Sequence, residues 1–133
     1  MAVILVVDDT HVDRQIAKLV LEAHGHTVHE APTGEDALQC LRGQPLDLVL
    51  IDMYMPGMSG VQLVERMRAD PVLAQLPVVF YTAWHDEYET EHALRAYGYA
   101  VLAKPVALQE FAPRIAQILH EAAHAPRREG QGS

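Results

Sequence analysis

Four unbroken apolar runs divide this chain, and each stops at a polar residue: two at carboxylates, one at a hydroxyl and one at an ammonium. Val3 to Val7 runs into Asp8-Asp9, Leu48 to Ile51 into Asp52, Pro77 to Tyr81 into Thr82, and Tyr99 to Ala103 into Lys104-Pro105. Short apolar runs separated by helical patterns predict strands buried on both faces of a parallel sheet. Thr27 to Ala31 instead alternates polar and apolar residues, which predicts a half-exposed edge strand.

Helical periods fill the gaps. Ile16, Leu19, Val20 and Ala23 follow the i, i+3, i+4, i+7 pattern, with Gly25 as a stop. Thr10 and Asp13 have the spacing of a capping box, which starts this helix just after the acidic pair. Ala37, Leu38 and Leu41 predict a second helix. Ser59 with Gln62 repeats the capping signature ahead of Leu63, Val64 and Met67, a helix running up to Asp70-Pro71. Thr90, Ala93, Leu94 and Tyr97 predict a fourth, closed by Gly98, and Phe111, Ile115, Ile118, Leu119 and Ala122 a fifth. Pro113 falls inside the fifth pattern and is expected to kink that helix or move its start.

Strand and helix thus alternate five times, the order of a doubly wound α/β domain. The expected domain spans residues 1–124. Residues 125–133 carry no apolar pattern and are expected to be a disordered tail or linker stub. A length of 133 residues suits one domain with a substantial core. The formal charge of −8, with no basic stripe, argues against direct binding to nucleic acid or to an anionic membrane. The apolar runs are of strand length, too short to span a bilayer, and Met1 to Val7 lacks a basic leader. With the lone Cys40 these features make the cytoplasm the expected location.

In open parallel sheets, ligands bind outside the carboxyl ends of the strands, where Asp8, Asp9, Asp52, Thr82 and Lys104 would converge. Clustered carboxylates repel, so such a site must raise a pKa or hold a cation. Hard oxygen ligands with open positions favour Mg²⁺. A bridging cation would let Asp52 act as a nucleophile toward phosphorus, while Lys104 neutralises charge and the Thr82 hydroxyl donates to a phosphate oxygen. The chain has eight arginines and two lysines, Lys18 and Lys104, so a lysine at a strand end stands out. A compact ammonium suits contact with a single phosphate oxygen.

Asp8-Asp9, Asp52 within Asp52-Met53-Tyr54-Met55-Pro56-Gly57-Met58-Ser59-Gly60, Thr82-Ala83 and Lys104-Pro105, in this order and spacing, resemble the receiver domain of bacterial two-component response regulators. The likeness covers roughly residues 1–122. It implies a flavodoxin-like sheet of order 2-1-3-4-5 with five helices. It also implies that Asp52 accepts phosphoryl from a sensor histidine kinase or phosphotransfer protein. Mg²⁺ would be held by Asp9, Asp52 and the backbone carbonyl of Tyr54, with Asp8 acting through water. Thr82 and Lys104 would contact the phosphoryl oxygens, and a cis peptide would join Lys104 to Pro105. Output would pass through the face formed by the fourth helix, fifth strand and fifth helix to an unknown protein target, with a homodimer among the expected assemblies. Such a protein is not an enzyme in the turnover sense, since it catalyses only its own phosphorylation and dephosphorylation.

The chain departs from that pattern at Val101, where receivers carry Tyr or Phe; Tyr99 is the nearest aromatic on the same face. Val106 stands where an aromatic is common. Tyr54 and Trp84 occupy the two positions that influence hydrolysis in receivers, and both are bulky enough to limit an attacking water. A long-lived phosphoryl-aspartate is expected.

Other signals rank lower. His120-Glu121-Ala122-Ala123-His124 matches a zinc-protease pattern but lies at the end of the last predicted helix, with few residues following to supply a third ligand. His24, His26 and His29 read as exposed histidines around a turn. Asp86, Glu87, Glu89 and Glu91 suit the opening of the fourth helix, and could also select a basic partner alongside Tyr88, Tyr97 and Tyr99 as aromatic anchors. No Gly-rich nucleotide loop is present. The alternatives are a receiver-like interaction module working without phosphorylation, and a Mg²⁺-dependent phosphohydrolase. The latter lacks the second acid such enzymes use two residues after the nucleophile, where this chain has Tyr54.

Overall fold

A computed structural model describes residues 1–82, 100–104 and 108–124. The expected fourth helix with its acidic run, Trp84, Tyr88, Tyr97, Tyr99, Pro105, Val106 and the tail from residue 125 lie outside the described residues.

The strands are β1 (Val3–Val7), β2 (Thr27–Ala31), β3 (Leu48–Ile51), β4 (Val78–Thr82) and β5 (Ala100–Ala103). They form one parallel sheet of order β2-β1-β3-β4-β5, the predicted flavodoxin-like arrangement. Helices α1 (His11–Ala23), α2 (Gly34–Gly43) and α3 (Gly60–Arg68) connect its first strands, and a C-terminal helix spans Leu108–His124. The register pairs Val7 with both Ala31 and Ile51, Ile51 with Phe80, and Thr82 with Ala103, so the carboxyl ends of β1, β3, β4 and β5 lie side by side.

Strand alternation splits the core into two layers. Leu5, Val7, Val49, Ile51, Val78 and Phe80 pack toward α2 and α3, with Leu38, Leu41, Leu63, Val64 and Met67 opposite. Ile4, Val6, Leu48, Leu50, Val79 and Leu102 pack against Ala17 and Leu21 of α1 and Phe111, Ile115 and Ile118 of the C-terminal helix. Burial on both faces is why β1 and β3 read as continuous apolar runs, and β2, at the edge, alternates.

The predicted buried stripe of α2 and α3 is the observed one, and Ser59 and Gln62 form the full capping box. Thr33 caps α2 by accepting from the Asp36 N–H, a signal not read from the sequence. The C-terminal helix begins at Leu108, so Pro113 does not move its start. Pro113 lies on the exposed side, where water reaches the carbonyl that a proline cannot pair.

Helix α1 departs from expectation. Of the predicted stripe, Ile16 and Leu19 are 41% and 66% exposed, Ala23 is exposed and only Val20 is half-buried; Ala17 and Leu21 face the core. Either face offers apolar residues, so hydrophobic burial does not choose between them. The choice is made by polar contacts: Arg14, Gln15 and Lys18 all reach Glu30 on β2, and Arg14 also donates to the Asp8 carbonyl. Charged hydrogen bonds of this kind contribute about 1.5–3 kcal/mol each, enough to set the helix rotation. The expected capping box fails for a related reason. Thr10 makes no side-chain cap, and Asp13 turns instead to Lys104.

Gly60 opens α3 directly behind the phosphoacceptor candidate, its N–H donating to the Met53 carbonyl at 3.0 Å. A Cβ there would collide with the backbone oxygen of Asp52. Gly57, at φ +76°, supplies the left-handed residue of the loop that leads into α3.

Candidate functional site

Because β1 and β3 are in register at Val7 and Ile51, Asp8 and Asp52 leave adjacent strands one residue further on. The Asp52 N–H still donates to the Val7 carbonyl, and the Asp8 N–H to Ala31, so the backbone under both acids is held by the sheet. The Lys104 N–H likewise donates to the Thr82 carbonyl at 2.9 Å. Alternation puts Asp8, Asp52 and Lys104 on the α1 side of the sheet and Thr82 on the other. Contacts at this edge join Asp8 and Asp52 to Lys104 with Asp9 beside them, while Thr82 stands at the end of the neighbouring strand. Asp8, Asp52 and Thr82 are buried, Asp9 is exposed, and Tyr54 sits at the rim, 39% exposed.

The Lys104 ammonium is the hub. It donates to Asp8 Oδ2 at 2.6 Å, to Asp13 Oδ2 at 2.9 Å and to Asp52 Oδ2 at 3.4 Å. The second oxygen of Asp8 accepts from the Thr10 N–H, and Asp52 Oδ1 accepts from the Tyr54 N–H. Lys104 also stands 5.3 Å from the ring centroid of Tyr81, which packs on Phe111. Asp13 and Tyr81 are site neighbours that the sequence did not single out. Asp13 is 91 residues from Lys104, and nothing local marks the pair.

Electrostatics follow from this geometry. Burial pushes the Asp8 carboxyl above the usual carboxylate range; hydrogen bonds from Lys104 and Thr10 pull the other way without overturning it, and the Asp52 charge adds to the rise. Burial alone would lower Lys104, but its hydrogen bonds to Asp8 and Asp13 and the nearby carboxylate charges outweigh it and hold the ammonium above its ordinary range. Lys104 is therefore a fixed positive charge.

Asp8, Asp9 and Asp52 each offer a carboxylate oxygen, all within 4.8 Å of one another. An all-oxygen set with a raised buried acid fits a hard divalent cation, whose charge would offset the cost of burying the Asp8 carboxylate that Lys104 and Thr10 only partly offset. Asp13 belongs to Lys104 rather than to this triad.

The other candidates are apart from this site. His26 Nδ1 accepts from the Ala2 N–H, and His24 Nδ1 lies 3.0 Å from the Val20 carbonyl. A groove of 740 Å³ that includes His26, Asp47 and His120 opens at the amino edge of the sheet, the end opposite the acids. Val101 is half-buried and packs on the core layer of α2 and α3. Tyr81 lies on the other face, so it does not stand in for the aromatic that Val101 replaces. No helix among the described residues is long and apolar enough to cross a membrane.

Comparison with known proteins agrees with this picture. The family described as the response regulator receiver domain matches residues 4–116. The chain is 34% identical over 106 residues to protein PilH of Pseudomonas aeruginosa, covering 80% of this chain and 88% of PilH. It is 32% identical over 119 residues to the transcriptional regulatory protein AfsQ1 of Streptomyces coelicolor, covering 90% of this chain but only 52% of that longer protein. Among solved structures, a putative response regulator from Chloroflexus aurantiacus superposes with a TM-score of 0.83 at 33% identity, covering 90% of this chain and 98% of the other. The chain belongs to the response regulator receiver domain family, as found in two-component systems.

Proposed function

We propose that Asp52 accepts a phosphoryl group from the phosphohistidine of a sensor histidine kinase or phosphotransfer protein, in a Mg²⁺-dependent reaction. The observation that carries this reading is the Lys104 ammonium bonded to both Asp8 and Asp52 beside three clustered carboxylates. An Asp52 oxygen forms the new P–O bond as the P–N bond breaks, and the electron pair leaves with the imidazole. Asp8, Asp9, Asp52 and the Tyr54 carbonyl would hold Mg²⁺. Once bound, the cation screens the carboxylate from the incoming phosphoryl charge. Lys104 takes one phosphoryl oxygen from the α1 side, and Thr82 takes another from the opposite side.

Val12, Ile16 and Leu19, left 63%, 41% and 66% exposed on α1, form an apolar stripe that starts beside the acids. That surface suits a helical donor, whose apolar face would bring its phosphohistidine to Asp52. The signal leaves through the face that includes β5 and the C-terminal helix. The receiver unit spans residues 1–124 and works in the cytoplasm. The alternative of an interaction module that works unphosphorylated draws on Val101, which supplies no aromatic to follow the movement of Thr82.

The test is intact mass after incubation with acetyl phosphate and Mg²⁺. One phosphoryl increment is expected, lost with EDTA and absent from Asp52→Asn. No increment on folded protein would shift the weight to the unphosphorylated module.

A further inference from the structure

Lys104 has three N–H donors, and three carboxylates take them. Two of these, Asp8 and Asp52, belong to the carboxylate triad. The third, Asp13, does not, yet its contact of 2.9 Å is shorter than the 3.4 Å contact to Asp52. Asp13 projects from the first turn of α1, its side chain 36% exposed, and the neighbouring Arg14–Glu30 and Arg14–Asp8 contacts fix the helix rotation that aims it at Lys104.

A phosphoryl group on Asp52 needs an N–H from this ammonium, and Asp13 occupies one of the three. Asp13 also adds a negative charge close to where an anion must arrive. Lys104 keeps other carboxylate partners without Asp13, so the carboxylate is not needed to hold the lysine charged. The net effect of Asp13 on an incoming phosphoryl group is therefore opposition.

We propose that Asp13 is a positioning residue that competes with the phosphoryl group for Lys104 and so restrains phosphorylation of Asp52. The proposal rests on Asp52 being the phosphoacceptor. Asp13 sets how much donor is required and leaves the chemistry of transfer unchanged. A partner that docks along α1 and draws Asp13 to a basic side chain of its own would release Lys104 and lift the restraint.

The experiment compares wild type, Asp13→Asn, Asp13→Ala and Asp13→Glu for binding of beryllofluoride, a tetrahedral phosphoryl mimic, in Mg²⁺. Removing the charge in Asn or Ala is expected to tighten binding about three- to tenfold, the scale of one unit charge acting over several ångströms of partly aqueous surroundings. Asp13→Glu restores the charge and is expected to bind as wild type does. A second readout needs neither metal nor anion. With two lysines in the chain, the ammonium resonances are assignable by ¹⁵N-edited NMR in EDTA. The Lys104 signal is expected to exchange faster with water in Asp13→Asn than in wild type. Unchanged or weaker binding in folded Asn and Ala variants, against a wild type that binds, would overturn the restraint and leave the phosphoacceptor reading standing. A wild type that binds no beryllofluoride and takes no phosphoryl would overturn both.

Discussion

The Arg14 guanidinium donates to the backbone carbonyl of Asp8 at 2.7 Å while its Nε reaches Glu30 at 3.2 Å, so one side chain ties α1 to the acid pocket and to the edge strand. Arg14→Ala is expected to destabilise the fold by about 2 kcal/mol, the scale of lost charged hydrogen bonds. Arg14→Lys should recover only part of this, because a point charge lacks the fork that serves both partners. Urea unfolding of the three proteins decides; equal midpoints would remove the tie.

Cation binding should appear as stability. If Asp8, Asp9 and Asp52 hold Mg²⁺, adding it at about a hundredfold excess over its dissociation constant raises unfolding free energy by about 2.7 kcal/mol. Asp9→Asn is the cleanest probe, because Asp9 is exposed and makes none of the Lys104 contacts. Its thermal midpoint is expected to respond much less to Mg²⁺ than that of wild type. A full response in the variant would remove Asp9 from the ligand set.

Tyr54 is at the rim of the site, and its N–H is bonded to Asp52 Oδ1. The side chain can shield a phosphoryl-aspartate from water while the backbone contact survives substitution. Tyr54→Ala is expected to speed loss of the phosphoryl group about threefold or more, followed by intact mass after the donor is removed. Trp84→Ala is expected to act in the same direction. Unchanged decay in both variants would dispose of the shield.

His26 predicts an acid sensitivity far from the chemistry. Burial, helped by the N-terminal ammonium and His24, holds its pKa below the ordinary 6.5, and its Nδ1 accepts from the Ala2 N–H. Below 6.5 the unfolded chain binds a proton that the native state resists, so this contribution is present above that pH and lost as pH falls through the native value. The loss of stability on acidification should be shallower in His26→Gln, which keeps an acceptor for Ala2 without the titration. Parallel curves would show that another group governs it.

The strands and the residues at their ends were legible because each buried run is uniform and stops at a charged or hydroxyl side chain. The rotation of α1 was not legible, since Ile16 and Leu19 satisfy the helical period as well as Ala17 and Leu21 do. The deciding contacts join Arg14, Gln15 and Lys18 to Glu30, on the next strand. Asp13 was misread for a similar reason. Its spacing from Thr10 is local and visible, whereas its partner Lys104 lies at the far end of the chain and becomes a neighbour only once the sheet is assembled.

The close approach of Gly60 to the backbone of Asp52 leaves no room for a side chain between the start of α3 and the acid. The β3–α3 junction is therefore a backstop: a side chain at position 60 would have to displace the Asp52 backbone, and with it the carboxylate that faces Lys104.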